Sequence, residues 1–170
     1  LRCEGASRQA IRLLEATRLG RGIVAMTPLP STLPPGFRMV NLPSAAADPI
    51  TGTIVVVWND QRFGDADILS IRSTDGGGTW SSPVRVNDDA GGATQFFPWI
   101  AIDPYGVVHV CWYDRREDGF KIDVYYARSN DGETFWPNQK VTDAMTDQSG
   151  ASASDMGYGE YLGLAAYESR

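Results

Sequence analysis

The stretch Ser73-Thr74-Asp75-Gly76-Gly77-Gly78-Thr79-Trp80 limits what this chain can fold into more than any other. It lies between two strand-like runs, Asp67 to Arg72 and Pro83 to Val86. A Ser-x-Asp flank can turn its side-chain oxygens back onto the amides of its own turn. The glycines supply the positive-φ conformations that a tight hairpin needs. Thr79 and Trp80 then restart a strand, with an indole large enough to wedge the hairpin onto a neighbouring layer.

The stretch recurs as Ser129-Asn130-Asp131-Gly132-Glu133-Thr134-Phe135, one glycine shorter. Laid against itself, the chain matches at further landmarks ~55 residues apart. Trp58-Asn59-Asp60-Gln61-Arg62 pairs with Trp112-Tyr113-Asp114-Arg115-Arg116, and Pro43 with Pro98. Asp48-Pro49 pairs with Asp103-Pro104, Asp67-Ile68 with Asp123-Val124, and Val86-x-Asp88 with Val141-x-Asp143. Landmarks in the same order, with slips of a residue or two, mark two copies of one unit.

Each copy holds four short strand-like runs joined by turns, an antiparallel meander. In the first, residues 37–90, the run Thr53 to Trp58 is almost wholly β-branched, as in strands covered on both faces. In the second, residues 91–145, the runs are 99–102, 107–112, 124–128 and 139–141. A four-stranded meander repeated at this period is the pattern of β-propeller blades, which bury their faces only against neighbours. The fold class expected is therefore all-β. Residues 146–170 read as a loop followed by the first strand of a further blade, at 160–166. Residues 1–36 form an N-terminal appendage, with a helix expected after the cap Ser7 and a linker containing Pro28, Pro30, Pro34 and Pro35. Two blades and a strand do not close a ring, so association between chains is one expected way of completing it.

Composition excludes several classes. A net charge of −6 argues against a nucleic-acid partner, and no apolar run is long enough for a membrane span. Cys3 and Cys111 lack metal-ligand spacing, and Cys111, inside a strand-like run, is expected to be a buried free thiol. The acidic loop from Asp143 to Asp155 lacks the regular spacing of a dedicated calcium loop, so neither metal nor cofactor is assigned. The start of the sequence has neither an initiating Met nor the pattern of a secretory signal, which fits a processed or partial chain.

The set Ser73, Asp75, Gly77, Thr79 and Trp80 resembles the Asp-box, or BNR repeat, of the sialidase superfamily of propellers. Ser129, Asp131, Thr134 and Phe135 resemble a shortened copy, and the likeness covers roughly residues 37–166. It implies six-bladed architecture, an extracellular or periplasmic location, and a protein that binds or hydrolyses terminal acidic sugars. A glycan or sialoside-like ligand would then be the partner. Family enzymes grip the sugar carboxylate with an arginine in Phe-Arg-Ile-Pro, a role the forked guanidinium suits. Here Phe37-Arg38 fills that slot by one count, whereas counting back from Pro43 places Asn41 there. The resemblance implies a general-acid aspartate in the loop after the second strand, where Asp65 and Asp67 lie. Asp67 has a counterpart in Asp123 and Asp65 has none, so Asp65 is the catalytic candidate, with a solvated turn carboxylate as the alternative. Arg115, whose counterpart is Gln61, is a candidate substrate-binding arginine. Arg62 and Arg116 are expected to pair with Asp60 and Asp114. His109 is expected to be packed in the core. Tyr113, Glu117, Glu160 and Tyr161 are available as a nucleophile and its activator, but no motif selects among them. The alternative to an enzyme is a non-catalytic propeller module for glycan or protein binding.

Overall fold

The computed structural model describes residues 42–147 and 162–167. The helix and linker expected within residues 1–36, Arg38, Asn41, Glu160 and Tyr161 lie outside the described residues. Strands β1 (Ser44–Ala47), β2 (Ile54–Asp60), β3 (Asp67–Ser73) and β4 (Val84–Arg85) pair in chain order into one antiparallel sheet. Strands β5 (Gln95–Ile102), β6 (Val108–Asp114), β7 (Asp123–Ser129) and β8 (Gln139–Lys140) form a second sheet of the same order. The described residues are therefore all-β, with no helix among them. Residues 162–167 run outside both sheets.

Side-chain alternation explains the packing. Val55 and Val57 of β2 and Ile68 of β3 point towards the second sheet, where they meet Ile100, Val110, Trp112 and Tyr125 in one apolar core. Ile54, Val56, Trp58, Leu69 and Ile71 point the other way and form a second cluster with Trp80. All seven residues of β2 are consequently buried, as its β-branched run requires. The second sheet is less evenly covered. On β7 buried residues alternate with half-buried or exposed ones, so that its outer face keeps Tyr126 and Arg128 in reach of solvent.

His109 departs from the sequence reading. It is half-buried on that outer face, where its Nδ1 lies 2.7 Å from the Tyr126 hydroxyl and its Nε2 3.3 Å from Asp103 Oδ2. The flanking valines belong to the core face and His109 to the alternate one, which a count of apolar neighbours in sequence does not separate. Cys111 is buried as a free thiol, and burial pushes its pKa up to about 11.

At one end of the sheets, hereafter the far end, lie the β3–β4 and β7–β8 hairpins. Ser73 Oγ donates to Asp75 Oδ1 at 2.8 Å and accepts from the Gly77 amide at 2.8 Å. Asp75 also accepts from the Thr79 amide at 2.9 Å and the Thr79 hydroxyl at 2.7 Å. Ser129 and Asp131 repeat the arrangement with the amides of Gly132, Glu133 and Thr134 at 2.7–2.9 Å. The amide and hydroxyl of Thr79, with the Ser73 hydroxyl, hold the Asp75 carboxyl well below the usual carboxylate range. Burial raises Asp131, but the amides of Thr134 and Glu133 outweigh it and bring its pKa to about 2.

Both carboxylates are thus more acidic folded than unfolded, where an aspartate titrates near about 3.9. A depressed folded pKa adds stability that is complete above the unfolded value and is lost as pH falls through the folded one. The urea midpoint should therefore fall as pH drops from about 4 to about 2. An Asp131→Asn variant should lose less over that window. An equal loss in both proteins would show that the hairpin carboxylate does not couple to folding.

Candidate functional site

The opposite, near end is built from three connections: residues 61–66 between β2 and β3, 86–94 between the sheets, and 115–122 between β6 and β7. In each copy the second strand ends on an aspartate that accepts from a tryptophan indole and an arginine. Trp58 Nε1 donates to Asp60 at 3.0 Å, while the Arg62 amide, Nε and NH2 donate to the same carboxylate at 2.9–3.1 Å. Trp112 Nε1 donates to Asp114 at 2.8 Å, and Arg116 repeats the three contacts at 2.8–3.0 Å. Arg116 goes further, reaching Asp88 at 2.7 Å and Asn138 at 3.0 Å, and its guanidinium lies 4.1 Å from the Tyr125 ring centre. These contacts raise its pKa despite burial, so it is a permanent cation tying the connection between the sheets to the second sheet.

A buried polar chain completes the junction. Asn87 donates from Nδ2 to Asp67 Oδ1 at 2.7 Å and accepts from the Ile68 amide at 2.8 Å. Gln95 follows, with its Oε1 3.3 Å from Asn87 Nδ2 and its Nε2 3.3 Å from Asp114. Burial raises the pKa of Asp67, a rise opposed by Asn87 and supported by the nearby charge of Asp65. Asp123 takes the corresponding place in the second sheet, accepting from Thr142 Oγ1 at 2.7 Å and pairing with Lys140 at 2.9 Å.

Asp65 and Arg115 reach this end from different hairpins and flank one segment. Asp65, half-buried, accepts a hydrogen bond from the Gly92 amide. Arg115 donates its own amide to the Thr94 carbonyl at 3.2 Å, two residues further along. Its side chain is buried, donates from Nε to the Phe120 carbonyl at 3.2 Å and stacks its guanidinium 5.8 Å from the Phe120 ring centre. Glu117 accepts from the Tyr125 hydroxyl at 2.5 Å, an interaction that adds to burial in raising the tyrosine pKa. Tyr113 packs against Phe96 and Phe97, with ring centres 5.5 and 6.3 Å away.

The near end also holds a feature that sequence reasoning did not find. A cavity of about 240 Å³ opens between residues 42–44, residues 97–99 and Leu162. Pro43 and Pro98 are matched landmarks of the repeat, so corresponding positions of the two copies form facing walls. A β-bulge between Phe96 and Trp99 shapes one wall. Phe97 within it adopts φ 50°, a left-handed conformation that costs a bulky residue energy and is held by its packing on Phe96 and Ile122. Trp99 is left half-buried at the cavity, and the Ser44 hydroxyl accepts from the Ile100 amide at 3.3 Å. The signal available in the sequence was Pro98 directly before the run 99–102, since proline within a sheet sits at an edge, at a strand start or at a bulge.

Among the described residues no three His, Cys, Asp or Glu side chains group into a metal site, and no helix is long and apolar enough to cross a membrane.

No protein-family model matches the chain, and no curated protein matches it. Several solved structures are similar. A Hadza microbial sialidase is 19% identical, with 58% of this chain and 25% of that one covered and a TM-score of 0.49. A Penicillium chrysogenum α-L-arabinanase complexed with arabinobiose is 23% identical, with 64% and 33% covered and a TM-score of 0.47. A protein of unknown function from Dyadobacter fermentans is 22% identical, with 56% and 28% covered and a TM-score of 0.44. The chain spans a quarter to a third of the length of these structures.

Proposed function

We propose that this chain contributes blades to a six-bladed β-propeller that binds a terminal acidic sugar of a glycan at its near end. The observation that carries this reading is the cavity between residues 42–44 and 97–99, whose volume of about 240 Å³ suits one sugar ring. Trp99 offers an aromatic face for the apolar side of that ring. The carboxylate of the sugar would be met by an arginine, for which Arg38 and Arg115 are the candidates.

Hydrolysis is the second reading, favoured by one observation: Asp65 is a half-buried carboxylate at the same end. The Gly92 amide donates to Asp65, which ties the carboxylate to the connection between the sheets. Hydrolysis also needs a nucleophile across the bond, and no motif selects one among Tyr113, Glu117, Glu160 and Tyr161, so binding without turnover is the better supported of the two.

Calorimetric titration of the full chain with a sialoside and with the matching neutral galactoside tests the proposal. The sialoside should bind more tightly, and Trp99→Ala should weaken it at least tenfold, about 1.4 kcal/mol. A folded chain that binds neither sugar overturns the reading. If an aryl sialoside is turned over, Asp65→Asn should slow the reaction by about 10²–10⁴. Turnover unaffected by that change would remove Asp65 from the mechanism.

A further inference from the structure

One side-chain nitrogen at the junction of the sheets is crowded. Asn87 Nδ2 lies 2.7 Å from Asp67 Oδ1, 2.6 Å from Asp89 Oδ1 and 3.3 Å from Gln95 Oε1. The amide cannot turn round, because Asn87 Oδ1 already accepts from the Ile68 amide at 2.8 Å. Gln95 is fixed likewise, with its Nε2 facing Asp114. An asparagine has two side-chain hydrogens, so three acceptors compete for them, and two of the three are carboxylates. The Asp67 side chain is wholly buried, and its Oδ2 meets no donor among the described residues. The Asp89 side chain is 8% exposed. Keeping both carboxylates ionised in such a place is costly.

The surrounding charges do not relieve the pair. Arg85, on β4, stands 3.5 Å from Asp67 Oδ1, keeps its head in reach of solvent and donates its NH2 to the Asp89 carbonyl at 3.1 Å. Arg116, on the β6–β7 connection, comes within 3.8 Å of Asp89 but is held closer by Asp114 and Asp88. Asp65, on the β2–β3 connection, adds a further negative charge, and Asp114 of β6 lies behind Gln95. The matched place on the second sheet is built differently. There Lys140 meets Asp123 at 2.9 Å, Thr142 stands where the first copy has Asn87, and Ala144 where it has Asp89.

We propose that Asp67 holds a proton on Oδ2 and that Asp67 and Asp89 together form a pH-sensitive clamp on residues 89–92 of the near end. With the proton in place, Asn87 serves both carboxyl groups, and the Gly92 amide rests on Asp65. Once the proton passes to solvent, the second charge drives Asp89 from Asn87 towards Arg116. Asp89 accepts from the Gly91 amide at 3.2 Å, so residues 91–92 move with it and Gly92 releases Asp65. Gly91 and Gly92, at φ 96° and 87°, give this turn the freedom to swing. Burial, the largest influence on the Asp67 carboxyl, holds its pKa above the usual carboxylate value. The stability this proton contributes is complete below the unfolded value of about 3.9 and is lost as pH rises through the folded one. The clamp adjoins the proposed sugar site and stands without it.

Carbon-detected NMR of the full chain from about pH 3 to about pH 8 tests this. The Asp67 Cγ signal should titrate above the unfolded value of about 3.9, and the Asn87 side-chain amide and the Gly91 amide should follow with the same midpoint. Across that step the exchange protection of the Gly92 amide should fall about tenfold or more. Asp67→Asn keeps the shape and cannot ionise, so the step should vanish. Asp89→Asn removes the opposing charge, so the step should move to lower pH. The proposal is overturned if Asp67 titrates at or below the unfolded value, or if Gly92 keeps its protection through the Asp67 step. A step that survives in a folded Asp67→Asn chain overturns it as well. So does calcium chloride that, added above the step at constant pH, restores the acid-form signals of Asn87 and Gly92, because the pair would then hold a metal cation in place of a proton.

Discussion

Replacing Asp114 by alanine should destabilise the chain by about 3–5 kcal/mol, the range for breaking a buried ion pair. The reason is the number of donors that one carboxylate serves. Its side chain is wholly buried, and it accepts from the Trp112 indole at 2.8 Å, from three nitrogens of Arg116 and from Gln95 at 3.3 Å. Alanine leaves the indole N–H and the Gln95 amide in the core without this acceptor, and a buried donor that loses its acceptor costs about 1–3 kcal/mol. Arg116 keeps Asp88 and Asn138, which limits the loss. The corresponding change at Asp60 should cost less, about 1–3 kcal/mol. Asp60 serves Trp58 and an Arg62 whose side chain is 30% exposed, so water can replace part of what is lost. Urea denaturation of the two variants beside the parent measures both figures. Equal losses at the two positions would contradict the argument, because the sequence around them is nearly the same and only the depth of the network differs. Against a domain stability of about 5–15 kcal/mol, the Asp114 change removes a large fraction.

That difference between matched aspartates shows what the sequence could and could not convey. The repeat of Trp-x-Asp-x-Arg announced that each strand end would be closed by an Arg–Asp pair, and both pairs form. It could not announce that Arg116 would also grip Asp88, which lies 28 residues earlier in the chain. Long-range partners of this kind depend on how the sheets stack, and no local spacing records that. The strands were legible for a related reason. Alternation and β-branching act within a few residues, and β2 follows directly from the run Ile54 to Trp58. Strand β5 was less so, since Phe97 and Pro98 break its pairing with a bulge and its start at Gln95 carries no apolar signal. The bulge in turn shapes the cavity wall, so the one feature that best suggests a ligand stands where periodicity is interrupted. His109 illustrates the same limit from the other side. Strand membership was legible, but the face to which it points depends on a register that one residue's shift would invert.

Gly132→Ala should cost about 2–4 kcal/mol, whereas Gly76→Ala should cost about 1 kcal/mol, although both glycines have φ +73°. The backbone penalty for a side chain in the left-handed region, roughly 1–2 kcal/mol, applies to both. What separates them is the neighbour. A Cβ at position 76 meets nothing within 4 Å, but at position 132 it would stand 2.9 Å from Val55 Cγ2 and 3.2 Å from Val55 Cγ1. Val55 is rooted in a fully buried strand and cannot swing aside, so the hairpin must lift from the first sheet instead. Lifting strains the Ser70–Gly132 hydrogen bond and the Arg72–Glu133 ion pair together. A double-mutant cycle isolates the clash. In a Val55→Ala background, which opens space at that point, the cost of Gly132→Ala should shrink to that of Gly76→Ala, a coupling of about 1–3 kcal/mol. Additive losses would mean that the hairpin yields without straining its seat. Strong coupling would show that the close approach at Gly132 fixes the second sheet's hairpin on the first sheet.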